Sequence, residues 1–327
     1  MRTAGFLIAA IAAIAVVGCA SGDGVESVGV APSGTLPAVT NESDDTADDA
    51  TVATVESDAG GGEGVPVDDI LAELEANGFC DPADVEGTGD VGTTTAMQFV
   101  VDAVPAPPCF GDRDDRLDRA WSELAAVAPT EYLDDISLLA GYEACEGCDT
   151  LAFVSALDEA GSFFLMAIDV TAAQDDPDEL SLTLLHELSH VFTQDPTTQL
   201  EVEVAPDACE TYHNGNGCLT DSSYLWTWMT RFWDPAVLDT FDEGEADPDG
   251  GEERCELGGE YTGSYGASSP EEDFAEVFAA YVFDVDFGGD LVDKLAFFGE
   301  FDEFRSIRER AGEIGLAGLP NTFERCG

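Results

Sequence analysis

Apolar residues recur at helical spacing in several stretches of the chain. In 67–79 they fall at Ile70, Leu71, Leu74 and Phe79 among acidic residues, which predicts a short helix. In 114–127 Leu117, Trp121, Leu124 and Ala125 predict a second amphipathic helix. Segments 150–157 and 162–170 are apolar runs joined by Asp158-Glu159-Ala160-Gly161, the signal of a β-hairpin. The second run is apolar almost throughout and reads as a strand buried on both faces. Asp175-Asp176-Pro177-Asp178 supplies helix-start chemistry. No Gly or Pro interrupts 179–193 after it, and Leu182, Leu185 and Leu188 share a broad apolar face. Pro270 opens a helix over 271–285, where a missing N–H costs nothing. Two more helices are predicted over 291–298 and 301–314, the last stopped by Gly315. Between these elements lies a cysteine-bearing insertion, 194–259, marked by Gly, Asn and Asp; its Trp226, Trp228 and Trp233 imply that part of it packs. No internal repeat is visible at solenoid periods.

The N-terminus reads as an address. Arg2 precedes an apolar run over 6–17, too short to span a bilayer comfortably. It ends in Val16-Val17-Gly18-Cys19, which resembles a bacterial lipobox, so 1–18 is expected to be a lipoprotein signal peptide and Cys19 the lipidated residue. Residues 19–67 are small, polar and acidic, and closed by Gly60-Gly61-Gly62-Glu63-Gly64. Such a segment cannot bury enough apolar surface to offset its ordering entropy, so it reads as a flexible linker that lifts the folded domain, 68–327, off the membrane.

Composition narrows the partners. The 327 residues include 69 Asp and Glu against 11 Lys and Arg, a formal charge of -58, with 44% hydrophobic residues, enough for a sizeable core. No basic surface exists to displace counterions from phosphates, which excludes nucleic acid and disfavours anionic membrane surfaces. The acidity itself reads as solubility, because it is spread along the chain. The single lysine is Lys294. Apart from Cys19 the cysteines are Cys80, Cys109, Cys145, Cys148, Cys209, Cys218, Cys255 and Cys326, an even set that suggests disulfides in an exported protein. Cys145-x-x-Cys148 has no redox-type surroundings and no second C-x-x-C to complete a zinc knot, so a local or crossed disulfide is expected there. The acidic stretch 242–253 lacks EF-hand spacing and is expected to be a solvated loop.

One motif carries chemistry. His186-Glu187-Leu188-Ser189-His190 is an H-E-x-x-H on a predicted helix, and it takes two of only three histidines. Residues four apart share a helix face, so both imidazoles can hold one metal ion. Glu187 is rotated by about 100°, which aims its carboxylate at a water on the metal rather than at the metal. Zinc would bring that water to a pKa of about 7, and the carboxylate would take its proton and pass it to the leaving nitrogen. A third protein ligand is needed, and no third histidine follows at short fixed spacing. The candidates are His213 and a carboxylate from Pro270-Glu271-Glu272-Asp273-Phe274-Ala275-Glu276, where Glu272 and Glu276 share one helix face. One of these two can bind the metal while the other orients a ligand histidine.

The HELSH helix followed by Ser264-Tyr265-Gly266-Ala267-Ser268-Ser269-Pro270-Glu271-Glu272-Asp273-Phe274-Ala275-Glu276-Val277-Phe278 resembles the gluzincin site of anthrax lethal factor-like metallopeptidases, a group that includes secreted Pro-Pro endopeptidases. The resemblance implies one catalytic Zn2+ held by His186, His190 and Glu272, Glu187 as general base, and Glu276 behind a ligand histidine. It also implies Tyr265 as the donor that stabilises the oxyanion. The expected fold is α+β and zincin-like, a small twisted sheet over the HELSH helix with a helical lower half. The expected function is a zinc metalloendopeptidase acting on peptide or protein substrates, exported and lipid-anchored to the outer face of a bacterial membrane. The alternative is a zincin-like surface lipoprotein that binds without catalysis.

Overall fold

The computed structural model describes residues 78–326 except 88–90, 149, 158–162, 203, 242–244, 290 and 324. The expected signal peptide, Cys19, the linker, most of the helix over 67–79 and the turn over 158–161 lie outside the described residues.

The architecture is α+β. A five-stranded sheet has the order β2-β1-β3-β5-β4, with β1 (Gly92–Val101), β2 (Val104–Gly111), β3 (Ile136–Ala144), β4 (Ala152–Ala156) and β5 (Phe164–Asp169). All pairings are antiparallel except β3–β5. Strand β5 is buried along its whole length, as its apolar run requires. Phe164, Met166 and Ile168 face the main core, whereas Leu165 and Ala167 face a second core with Met97, Phe99, Leu138 and Phe153. Strand β4 pairs with β5 as the expected hairpin and forms one edge of the sheet.

Three strands precede Thr150 that the apolar pattern does not mark. Strand β2 carries Pro105, Pro107 and Pro108, which read as loop but are tolerated on a sheet edge, where an absent N–H breaks no inner ladder. The β1–β2 connection is Asp102-Ala103, both at positive φ (49° and 59°), a tight hairpin turn without the Gly or Asn that would announce it. Helix α1 (Ala83–Glu86) is tied to this hairpin by the Cys80–Cys109 disulfide.

Helices α2 (Asp115–Val127), α3 (Thr130–Leu133) and α4 (Ala172–Asp175) lead to α5 (Pro177–Thr193), the element that carries the motif. Asp176 caps α5 by accepting from the Glu179 N–H, and Pro177 occupies its first turn. Nearly every residue from Leu180 to Thr193 is buried, because α5 runs between the sheet and a lower helical layer. That layer holds α6 (Tyr224–Phe232), α7 (Pro235–Leu238), α8 (Pro248–Glu256), α9 (Pro270–Val282), α10 (Val292–Phe298) and α11 (Asp302–Glu313). Its packing is strongly aromatic. Phe192 of α5 stacks on Tyr132 at 4.6 Å and meets Phe278 at 5.2 Å and Phe304 at 5.6 Å.

The segment 194–259 is structured. It holds a two-stranded ribbon, β6 (Leu200–Glu201) with β7 (Cys218–Leu219), and helices α6 to α8. Trp228 is fully buried and Trp233 nearly so. Part of the acidic stretch expected as a solvated loop is helix α8, capped by Asp247. Disulfides join Cys145 to Cys148, Cys209 to Cys218 and Cys255 to Cys326. Among the described residues no helix is long and apolar enough to cross a membrane.

Phe192 joins the helix of the motif to the lower layer, so its removal leaves a cavity at their seam. Phe192→Ala should cost about 3–5 kcal/mol in urea unfolding of the folded domain with an unchanged m-value. A loss below about 1 kcal/mol would show that the aromatic layer closes over the gap.

Candidate metal centre

Helices α5 and α9 pack against each other, and the atoms with metal-binding chemistry meet at their crossing. On α5, His186 and His190 stand one turn apart with their Nε2 atoms 3.1 Å from each other. On α9, Ser269 caps the helix by accepting from the Glu272 N–H, and Pro270 opens it. Glu272 in this first turn places Oε2 3.0 Å from His186 Nε2 and 3.5 Å from His190 Nε2. Among the described residues these three form the only group of His, Cys, Asp and Glu able to hold a metal ion.

The donor set fits zinc. Nitrogen and oxygen ligands at about 2.0–2.2 Å in a tetrahedral arrangement lie about 3.3–3.6 Å from one another. The separations here, 3.0, 3.1 and 3.5 Å, are close to that edge length. The three atoms point at one another although no hydrogen bond of good angle reaches Glu272 Oε2, which is buried. Two imidazole nitrogens and one carboxylate oxygen converging in this way are the donor set of a two-histidine, one-carboxylate zinc site.

Glu187 is 7% exposed and is not one of the three converging groups. Its Oε2 accepts from the Val154 N–H at 3.0 Å. In β4, residues 151 and 157 bond to β5, so the alternate backbone groups at Ala152, Val154 and Ala156 face the free edge. The Glu187 carboxylate is therefore held between the ligand group and the edge strand. Burial pushes its pKa up, against the opposing pull of His186 and His190.

Glu276 sits one turn along α9. One oxygen accepts from the Thr262 hydroxyl at 2.7 Å, and the other lies 4.0 Å from His186 Nδ1, outside hydrogen-bond range. Tyr265 lays its ring beside the His186 ring, 5.8 Å between centroids. Burial and the Glu272 charge push the phenol well above its usual pKa, so it stays a hydrogen-bond donor. The Tyr265 loop is braced from α8. Arg254 donates to the carbonyls of Ala267 at 2.6 Å and Ser268 at 3.2 Å. Gly251 and Gly266 are required by close approach. A Cβ would meet the Ser264 carbonyl at 2.5 Å in the first case and the Thr262 hydroxyl at 2.3 Å in the second.

His213 does not join the group. Its Nδ1 accepts from the Gly215 N–H in its own turn, beside the bridge to Cys218. Two contributors are invisible to a motif search. Val154 acts through its backbone, and Thr262 is an isolated hydroxyl known only by the carboxylate it holds.

The chain is an α+β protein with a partly buried His-His-Glu group able to hold a metal ion. No protein-family model and no curated protein matches it. A crystal structure from Bacteroides caccae, provisionally named a zinc-binding metallo-peptidase, aligns with 62% of this chain and 69% of its own at 13% identity and a TM-score of 0.26. So weak a likeness carries no argument about this site.

The group's protonation gives a test. Burial opposes a charge on His186, but Glu272 outweighs it and pushes His186 up to about 9. Burial also lifts Glu276 to about 7. Both pKa values lie above those of the unfolded chain, so the stability they add is present at low pH and lost as pH rises through them. The metal-free protein should therefore melt at progressively lower temperature from about pH 5 to pH 9, most steeply just below pH 7, where both groups hold a proton that the unfolded chain has released, and should level off above pH 9. Zinc must displace the same proton, so its affinity should rise over that range. Melting curves in chelator, and zinc competition titrations at each pH, read both effects; flat profiles would contradict the assignment.

Proposed function

We propose that this chain is a zinc-dependent metalloendopeptidase of the gluzincin type, exported as a lipoprotein through Cys19 and acting on extracellular peptides or proteins. The observation that carries this reading is the convergence of His186 Nε2, His190 Nε2 and Glu272 Oε2 within 3.5 Å of one another. In this reading His186, His190 and Glu272 hold one Zn2+. When bound, zinc supplies a Lewis acid for the scissile carbonyl and a water acidic enough to be deprotonated near pH 7.

The protein's own groups do the rest. Glu187 takes the proton of the attacking water and returns it to the leaving nitrogen, a role suited to a carboxylate whose pKa burial has raised. Tyr265, neutral and beside His186, donates to the oxyanion that develops on the carbonyl. Glu276, fixed by Thr262, sits behind His186 to orient it as the site tightens. The edge of β4 offers its backbone groups other than the Val154 N–H, which Glu187 holds, to an extended peptide.

Zinc-loaded protein should contain one metal per chain and cleave members of a diverse peptide library. Glu187→Ala should keep the zinc and lose about 10²–10⁴ in kcat, while His190→Ala should lose the metal. Zinc binding without cleavage by the wild type on any peptide would favour the binding lipoprotein instead. Protein free of stoichiometric zinc in excess metal would remove the reading altogether.

A further inference from the structure

On the residue next to Glu272, and turned away from the site, stands a buried ionic cage. Asp273 is fully buried, and Lys294 of α10 is 3% exposed. Lys294 Nζ lies 2.6 Å from Asp273 Oδ1 and 2.8 Å from Oδ2. The indole N–H groups of Trp228 and Trp233 both donate to Oδ2, at 3.0 and 2.9 Å. The lysine ammonium also sits 4.3 Å over the Tyr261 ring. One carboxylate thus receives donors from α6, from the residue that follows it and from α10. The lysine used is the single one in the chain.

We propose that Asp273, with Lys294, Trp228 and Trp233, is the positioning device of the metal site: the cage fixes the rotation of the first turn of α9 and so aims Glu272 at His186 and His190. The proposal rests on the reading of Glu272 as a zinc ligand. Successive side chains on a helix differ by about 100°, so an Asp273 locked into the cage leaves Glu272 facing α5. A helix rotation of about 20° would move an atom about 6 Å from the axis by about 2 Å. Zinc ligation tolerates about 0.2 Å. Apolar packing of Phe274 and Phe278 is less directional than four bonds to one carboxylate. The cage also reaches the next turn. Tyr261, its aromatic lid, precedes Thr262, which holds Glu276. Both carboxylates that α9 presents to α5 are thereby anchored from an adjacent face of the helix.

A purely structural ion pair and a positioning device make different predictions. Replacing a buried ion pair by apolar residues of similar size is often neutral for stability. Asp273→Leu combined with Lys294→Met also leaves two buried indole N–H groups without an acceptor, so it should melt below the wild type when metal-free but still fold, and it should bind zinc about 10–100-fold more weakly in a competition titration. Its cobalt(II) derivative should show an altered visible spectrum, which reports coordination geometry. Asp273→Asn with Lys294→Met keeps an oxygen for both indoles and should restore most of the affinity. Trp233→Phe removes one donor, leaves the ion pair in place and should weaken zinc with little change in melting, which keeps the test open if the first variant does not fold. Folded variants that bind zinc as tightly as the wild type, with an unchanged cobalt spectrum, would overturn the role. A wild type that binds no zinc would remove the site reading and this role with it.

Discussion

Burying charge is the constraint that organises the lower half of this protein. An isolated carboxylate in a core of this kind costs several kcal/mol, so it persists only where a partner is fixed beside it. Helix α9 carries Glu272, Asp273 and Glu276 into such a core, each with a partner on another element, while burial without such a partner pushes the neighbouring Glu271 up to about 7. Glu272 meets two imidazoles on α5, Asp273 an ammonium and two indoles, and Glu276 a threonine hydroxyl. The helix thus has two polar sides, one toward the motif and one toward Lys294, separated by Phe274, Phe278 and their neighbours. Neither side would be tolerated without the other elements in place, so α5, α6, α9 and α10 are held in one mutual arrangement.

Apolar contacts supply the bulk of the cohesion and polar contacts the directions. Phe192, Phe274, Phe278, Phe298 and Phe304 meet edge-to-face or tilted around the base of α5, a packing that resists compression but does not select one rotation of a helix. Direction comes from the caps at Asp176 and Ser269, from the Asp273 cage, and from the Val154 N–H that holds Glu187. The segment 194–259 contributes to both. It supplies Trp228 and Trp233 to the cage and Arg254 to the loop of Tyr265. It is therefore part of the frame on which the site is built.

What the sequence made legible follows from where its signals are local. Helix α5 could be read because cap, proline and apolar periodicity agree within one segment, and the two histidines fall one turn apart on it. The β4–β5 hairpin announced itself by two apolar runs with a turn between. Strands β1 to β3 were not legible, because β2 is proline-rich and its turn uses Asp102 and Ala103 in place of glycine. Glu272 was separable from His213 and Glu276 only by resemblance, since the deciding quantity, a 3.0 Å separation from His186 Nε2, belongs to tertiary packing. The lone lysine stood out in the composition, but nothing along the chain paired it with Asp273.

The acidity of the chain illustrates the same point from the other side. With 69 Asp and Glu residues, any acidic motif in this sequence has a high chance of being solvated surface. Burial makes the distinction that counting cannot. Among the described residues the buried acids are Asp169, Glu187 and Asp273; on α9 the Glu272 and Glu276 side chains are 13% and 14% exposed, and both oxygens of Glu271 are buried. Asp169 accepts from the Thr171 N–H just after β5, and the others lie on α5 and α9. In a protein that tolerates acid nearly everywhere on its surface, the acids withdrawn from water are the ones with an assigned place. Glu187, Glu272, Asp273 and Glu276 belong to the candidate metal centre or to the cage behind it; Asp169 and Glu271 do not.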